Sequence, residues 1–225
     1  MDRVGEVAVA EKGGEAPEFD AAFRELLYDL LKWRRDVRRF KRASLPQGTI
    51  ERLLGIACLS PSVGLSESWR FVIVEDEARR ALIRQCFEEC NRDALQMQTP
   101  DRAAIYARLK LAGLDDAPSQ IAVFSDHSTA QGSGLGRQTM PEVLDYSVAI
   151  AIHTFWLAAR AEGIGMGWVS ILDPSCLAAI LDVPKEWRFI GHLCIGFPMQ
   201  EDDTPALQRQ GWEQRRSPTS DVIYR

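Results

Sequence analysis

Apolar residues first recur at helical spacing at Phe23, Leu26, Leu27, Leu30 and Leu31, which predicts an amphipathic helix running up to a basic segment. A second helix is predicted over Thr49 to Leu59, stopped by Ser60-Pro61-Ser62 because proline disfavours helix at the residue before it. Between Arg70 and Glu75 the pattern changes. Phe71, Val72, Ile73 and Val74 run without a break, as in a strand covered on both faces. A charged helical segment follows from Glu77 to Gln96, and residues 97–117 are polar, weakly periodic and interrupted by Pro100 and Gly113, which makes them a candidate lid. A second strand is expected over Gln120 to Ser125. Thr139-Met140-Pro141-Glu142 has capping-box spacing ahead of a long apolar helix, Val143 to Glu162, which Gly163 to Gly167 should end. Trp168 to Leu172 reads as a third strand, Asp173-Pro174 as the start of a short helix, and Phe189 to Phe197 as a fourth strand. The tail from Pro198 to Arg225 has little periodicity and includes Asp221-Val222-Ile223-Tyr224, an extended arm suited to docking elsewhere.

Helices alternating with strands, without an internal repeat or a dividing linker, predict one α/β domain over residues 18–225. Residues 1–17 are rich in Gly, Glu and Ala and lack the basic start and apolar run of a secretory signal, so they read as a disordered lead-in. The most apolar stretch, Tyr146 to Ala159, is too short for a bilayer span and carries His153, which makes it a core or interface helix. With 32 acidic against 27 basic residues the net charge is −5, which argues against nucleic acid or an anionic membrane as partner. The five cysteines are odd in number and form no CxxC pair, so neither a disulfide framework nor a metal site is expected, and a reducing cytoplasm is the simplest compartment. Cys86 and Cys90, four apart, should share one helix face as core packing.

The segment Lys32 to Arg42 runs against the acidic balance, with seven cationic side chains around Asp36. Planar guanidinium groups suit phosphate, so a small anionic molecule is expected here, although a helix C-terminus also favours solvated basic residues. Gly132-Ser133-Gly134-Leu135-Gly136 is G-x-G-x-G rather than a dinucleotide fingerprint and is expected to be a flexible loop. There is no P-loop lysine in it and no G-x-S-x-G elbow in the chain, which leaves Ser62 and Ser170 as candidates for hydrogen bonding to a cofactor.

Arg34-Arg35-Asp36-Val37-Arg38-Arg39-Phe40, then Ser60-Pro61-Ser62-Val63-Gly64 through Trp69, then Glu162-Gly163-Ile164-Gly165-Met166-Gly167-Trp168-Val169-Ser170, appear in that order and spacing. In this the chain resembles the flavin nitroreductase family, most closely its dimethylbenzimidazole synthase branch, over about Tyr28 to Val222. The resemblance implies a nitroreductase-like sandwich, with a mixed central sheet flanked by helices and an extended C-terminal arm, assembled as a homodimer around FMN. It implies that Arg34, Arg35 and Arg38 hold the phosphate and ring edge, that Arg215 adds a phosphate contact from the arm, and that Ser62 reaches the flavin from the other subunit. Gly165, Gly167, Trp168, Val169 and Ser170 would run beside the isoalloxazine, where glycine permits close backbone approach.

In that branch reduced FMN and molecular oxygen are consumed and the flavin is fragmented to 5,6-dimethylbenzimidazole, the lower ligand of cobalamin. The resemblance makes Asp36, where the wider family more often has serine, the general acid/base, and Ser170 a hydrogen-bonding group near the flavin N5. It makes the chain an oxidoreductase of the oxygenase kind, with a separate flavin reductase as a candidate supplier of reduced FMN. Leu65, Glu67, Ser68 and Trp69 stand where ordinary nitroreductases carry Asn and then Gln-Pro-Trp, so polar contacts to the ring are lost. An NAD(P)H-dependent nitroreductase is the alternative, and a flavin-binding protein without turnover is another. Asp36 separates them, since neither alternative gains from a carboxylate beside a bound phosphate.

Overall fold

The computed structural model describes residues 16–217 and 222–225. The expected lead-in lies outside the described residues up to residue 15, and so does Asp221 of the expected arm. β1 (Trp69–Ile73), β2 (Ser119–Asp126), β3 (Gly165–Val169) and β4 (Trp187–Gly196) form one sheet in the order β1-β2-β4-β3. All three strand pairings are antiparallel. The parallel element is a bridge from Asp36 to Met166, which makes the sheet mixed at its β3 edge.

Successive residues of a strand point to opposite faces, and β2 shows what that does here. Ile121 and Val123 enter a core built with Leu53, Val148, Ile152 and Phe155, from α2 (Thr49–Ala57) and α5 (Val143–Ala161). Ala122 and Phe124 enter a second core with Ile83 and Cys86 of α3 (Glu77–Gln96) and Leu177 of α6 (Pro174–Leu181). Helices thus cover both faces of the sheet. The apolar run in β1 divides the same way: Phe71 packs against the first core and Val72 against the second, while Ile73 is exposed at the edge. Cys86 and Cys90 do share one face of α3, packed into the second core together with Cys176.

Three local expectations change. The third strand was expected from Trp168, but it begins at Gly165. Gly163, at φ +72°, ends α5 in one residue, with the Ile164 N–H donating back to the Ala159 carbonyl at 2.9 Å. The glycines that follow are then free to pair: a Cβ on Gly165 would sit 2.8 Å from Val37 Cγ2, so the missing side chains let the Asp36–Val37 strip lie against the strand. The capping box before α5 does not form. The Thr139 hydroxyl donates to the Gly136 carbonyl at 3.3 Å, and Glu142 occupies the cap position without a side-chain bond. The glycine-rich loop is interlocked rather than free: Gln131 Nε2 donates to the Leu65 carbonyl at 2.9 Å, and a Cβ on Gly132 would come within 2.7 Å of the Gly64 carbonyl.

Residues 97–117 are partly built as well. They contain α4 (Pro100–Tyr106) and single buried anchors at Tyr106, Ala112, Leu114 and Ala117. Anchors spaced so irregularly leave no period to read. α1 (Ala21–Trp33) is capped by Asp20, which accepts from the Phe23 N–H at 2.7 Å, yet none of its residues is buried. The tail carries only α7 (Ala206–Arg209) among its described residues. No helix among the described residues is long and apolar enough to cross a membrane, and no group of three His, Cys, Asp or Glu residues among them could hold a metal ion.

Candidate functional site

α1 stops at Arg34, whose N–H caps the helix on the Leu30 carbonyl at 2.9 Å before the chain turns extended. The next residues lie along β3, with the Val37 N–H donating to the Met166 carbonyl at 3.0 Å. The basic segment is therefore an extended strip fastened to the sheet edge, and its side chains fan out at a cavity of about 170 Å³. Arg35, Asp36, Arg38, Lys110, Trp156 and Gly165 are among the residues that line it.

Asp36 is fixed by both oxygens. Oδ1 accepts from the Trp168 N–H at 2.9 Å and Oδ2 from Arg38 Nε at 2.6 Å. Each oxygen keeps a further lone pair for another partner. Arg38 in turn donates through Nη1 to the Lys110 carbonyl at 3.0 Å. Arg35 is anchored on backbone, donating to the Asp203 carbonyl at 3.0 Å through Nε and to the Arg34 carbonyl at 2.7 Å through Nη1.

Arg34 stacks over the Trp156 indole, 4.5 Å from Cζ to the ring centroid. Its Nε and the Trp156 Nε1 are both buried and both lack an acceptor. Burial and then the charge of Arg215 hold the Arg34 guanidinium below its usual value, and the same two causes, followed by Arg34 itself, act on Arg35. Three mutually repelling guanidinium groups, one of them with an orphaned buried Nε, beside the orphaned Trp156 indole N–H fit a ligand that is both anionic and rich in acceptors. A flavin with a phosphate arm meets both conditions. The cavity is smaller than the roughly 300 Å³ at which ligand pockets begin, and a more open apolar groove of about 670 Å³, lined by Leu26, Leu27 and Leu30 of α1, adjoins it at Trp33, Arg160 and Glu201.

The remaining expected site residues are spread more widely. Ser62 accepts from the Glu67 N–H at 3.1 Å, and its neighbour Val63 donates to Ser147 near the start of α5 at 3.1 Å. Trp156 sits near the other end of that helix, nine residues on, about 13 Å along the axis. Trp168 donates its indole N–H to the Ile190 carbonyl at 3.3 Å, and Val169 is buried in the second core. Gly167 is closed over by Val37, and Ser170 is exposed just past the end of β3. None of these five lines the cavity that holds Asp36, and neither do Arg34, which stacks behind it on Trp156, and Arg215. Trp156, Lys110 and Arg160 do line it and were not foreseen. Nothing local distinguishes them, because each is brought to the strip from more than seventy positions away.

Residues 31–197 match the model of the nitroreductase family. A 5,6-dimethylbenzimidazole synthase of Rhodospirillum rubrum is 54% identical over 89% of this chain and 95% of its own length. One from Rhodobacter capsulatus is 44% identical over 87% of this chain and 95% of its own length. Among solved structures, an oxidised iodotyrosine deiodinase bound to FMN and 3-iodo-L-tyrosine superposes with a TM-score of 0.66 at 26% identity, over 88% of this chain and 97% of that one.

Proposed function

The chain belongs to the nitroreductase family, and from that premise we propose that it is a 5,6-dimethylbenzimidazole synthase, which uses molecular oxygen to fragment reduced FMN. The observation that carries this reading is Asp36, a carboxylate set in the cavity wall among arginines, with both oxygens oriented by Arg38 and the Trp168 N–H. Bracing Arg38 for a phosphate would occupy one oxygen only; the second oxygen, held by the Trp168 N–H, and the lone pair that each keeps suit a proton-transfer group. The reduced flavin brings the electrons that oxygen requires. Asp36 then serves as the group that accepts and returns protons, held in place by its two existing bonds.

Arg34, Arg35, Arg38 and Arg215 are assigned to the phosphate and ring edge. Arg34 Nε and Trp156 Nε1 are the donors that bound flavin would satisfy. Gly165 lines the cavity beside Asp36, Gly167 lies against Val37, the Trp168 N–H orients Asp36, and Val169 is buried in the second core. Ser170 is assigned the hydrogen bond near the flavin N5.

We further assign the working form as a homodimer, with one domain per chain over residues 18–225. The cavity at Asp36 is small, Ser62 lies at the far end of α5, and α5 exposes Tyr146, Ile150 and His153 along one stripe beside the uncovered α1. A second copy would complete the ring pocket with its own Ser62 and cover that stripe. Because flavin is consumed rather than recycled, it must arrive reduced, and a separate flavin reductase is the partner assigned to that step. The free cysteines suit a reducing cytoplasm. Aerobic incubation with chemically reduced FMN, followed by chromatography, should yield 5,6-dimethylbenzimidazole; recovery of intact FMN alone would refute the assignment.

A further inference from the structure

The C-terminal arm and the 97–117 segment grip one another at a point that the site described above does not use. Past α7 the chain turns at Gly211, φ +74°, and the Trp212 N–H donates to the Leu207 carbonyl at 2.9 Å. The Trp212 indole is then held from two sides. Arg102 Cζ lies 4.4 Å from its ring centroid, and Tyr106 meets it edge-on at 5.8 Å. Arg102 also donates through Nη2 to the Trp212 carbonyl at 2.8 Å and to Glu213 at 3.4 Å. Tyr106 is itself fixed, being buried with its hydroxyl donating to Asn91 Oδ1 on α3 at 2.9 Å.

Both ends of this contact lead to the basic cluster. Three residues after Trp212, a span of at most about 11 Å, stands Arg215, close enough for its charge to act on Arg34 and Arg35. At the other end of the same segment the Lys110 carbonyl accepts from Arg38 at 3.0 Å, and Lys110 lines the cavity. The segment thus reaches the arginine cluster twice: Arg38 donates to it directly, and the Trp212 contact holds the arm that brings Arg215 near Arg34 and Arg35. Among Arg34, Arg35 and Arg215 the interaction is repulsive, so an anion placed between them draws Arg215 inward and tightens whatever is attached to it.

We propose that Arg102 and Trp212 form a bracket that couples Arg215 to residues 97–110, so that the phosphate of a bound flavin fixes this segment beside the cavity and riboflavin does not. Arg102 and Trp212 are positioning residues. They touch neither phosphate nor ring, and they set specificity for phosphorylated flavin through the cover rather than through affinity alone. The inference rests on the flavin reading of the site, but it concerns binding and not turnover.

Hydrogen exchange of residues 97–110 in the full-length protein, read with saturating FMN and with saturating riboflavin, tests it. FMN should slow exchange there by ten-fold or more and riboflavin by less than three-fold. Arg102→Ala, an exposed change that leaves the core intact, should bind FMN within about three-fold of the parent yet lose most of that protection. Arg102→Lys, which keeps a cation over the indole, and Trp212→Phe, which keeps a ring, should restore part of it. Equal protection by riboflavin, or undiminished protection in Arg102→Ala, would overturn the bracket. Protection that follows this pattern without benzimidazole formation would support the bracket and remove the synthase reading. Failure to bind FMN at all would remove both.

Discussion

Asp36 is the residue on which function and structure press hardest against each other. Its bond to Arg38 at 2.6 Å would by itself justify the side chain, as a brace that orients a phosphate ligand. If that were its whole role, Asp36→Asn would chiefly change FMN affinity. The proton-transfer role predicts the reverse. FMN binding should stay within a few-fold, while benzimidazole formation under saturating reduced FMN falls by about two orders of magnitude or more, the usual contribution of a general acid–base group. Single-turnover product analysis of the variant beside a flavin titration separates the two. At this scale the sequence was most informative where the site is local: Arg34, Arg35, Asp36 and Arg38 are four residues of one extended strip. It was silent on Trp156 and Lys110, whose identity is ordinary and whose place depends entirely on the fold.

At the scale of elements, residues with a strong local preference behaved as their chemistry requires. Asp173 caps α6 by accepting from the Cys176 N–H at 2.7 Å, so Asp173→Ala should lower stability by about 1 kcal/mol in denaturant titration, with flavin binding unchanged. Where two roles compete for one residue type the reading failed. Glycines at 163–167 can end a helix or open a strand to a neighbour, and only the approach of Val37 decides between them. β4 carries a further consequence. His192 is fully buried, and burial, then the charge of Arg80, pushes its imidazole down to about 3. Gln120 Nε2 donates to the Leu114 carbonyl at 3.0 Å, which turns Oε1 toward His192 Nε2 at 2.9 Å and leaves Nδ1 buried without a partner. A proton added there has nothing to bond. Because the folded pKa lies below the unfolded value, stability is complete above about pH 6.5 and is lost as pH falls toward 3. Between pH 7 and 4.5 this group should cost about 2–3 kcal/mol. Urea titrations at the two pH values should show a smaller difference for His192→Gln than for the parent protein.

For the whole molecule, the α/β sandwich was legible because the charged α3 separates the apolar runs of β1 and β2, and α5, too long for a strand, separates β2 from β4. A homodimer was expected through the family resemblance, while the helix pattern alone left α5 open as core or interface, since an exposed apolar stripe looks in sequence like any core helix. Tyr146, Ile150 and His153 on that stripe, with Ile150 44% exposed, are the surface assigned to a second copy in the proposed homodimer. Ile150→Asp should therefore yield monomers in sedimentation and weaken FMN binding in parallel; a monomer that binds flavin with full affinity would remove the shared site. Whether the flavin is consumed is read by a mass balance. When reduced FMN labelled in its dimethylbenzene ring is exposed to oxygen in the presence of the protein, the label should leave the flavin and appear in 5,6-dimethylbenzimidazole, one molecule for each FMN lost. Quantitative return of the label as intact FMN would show that the flavin is recycled rather than consumed.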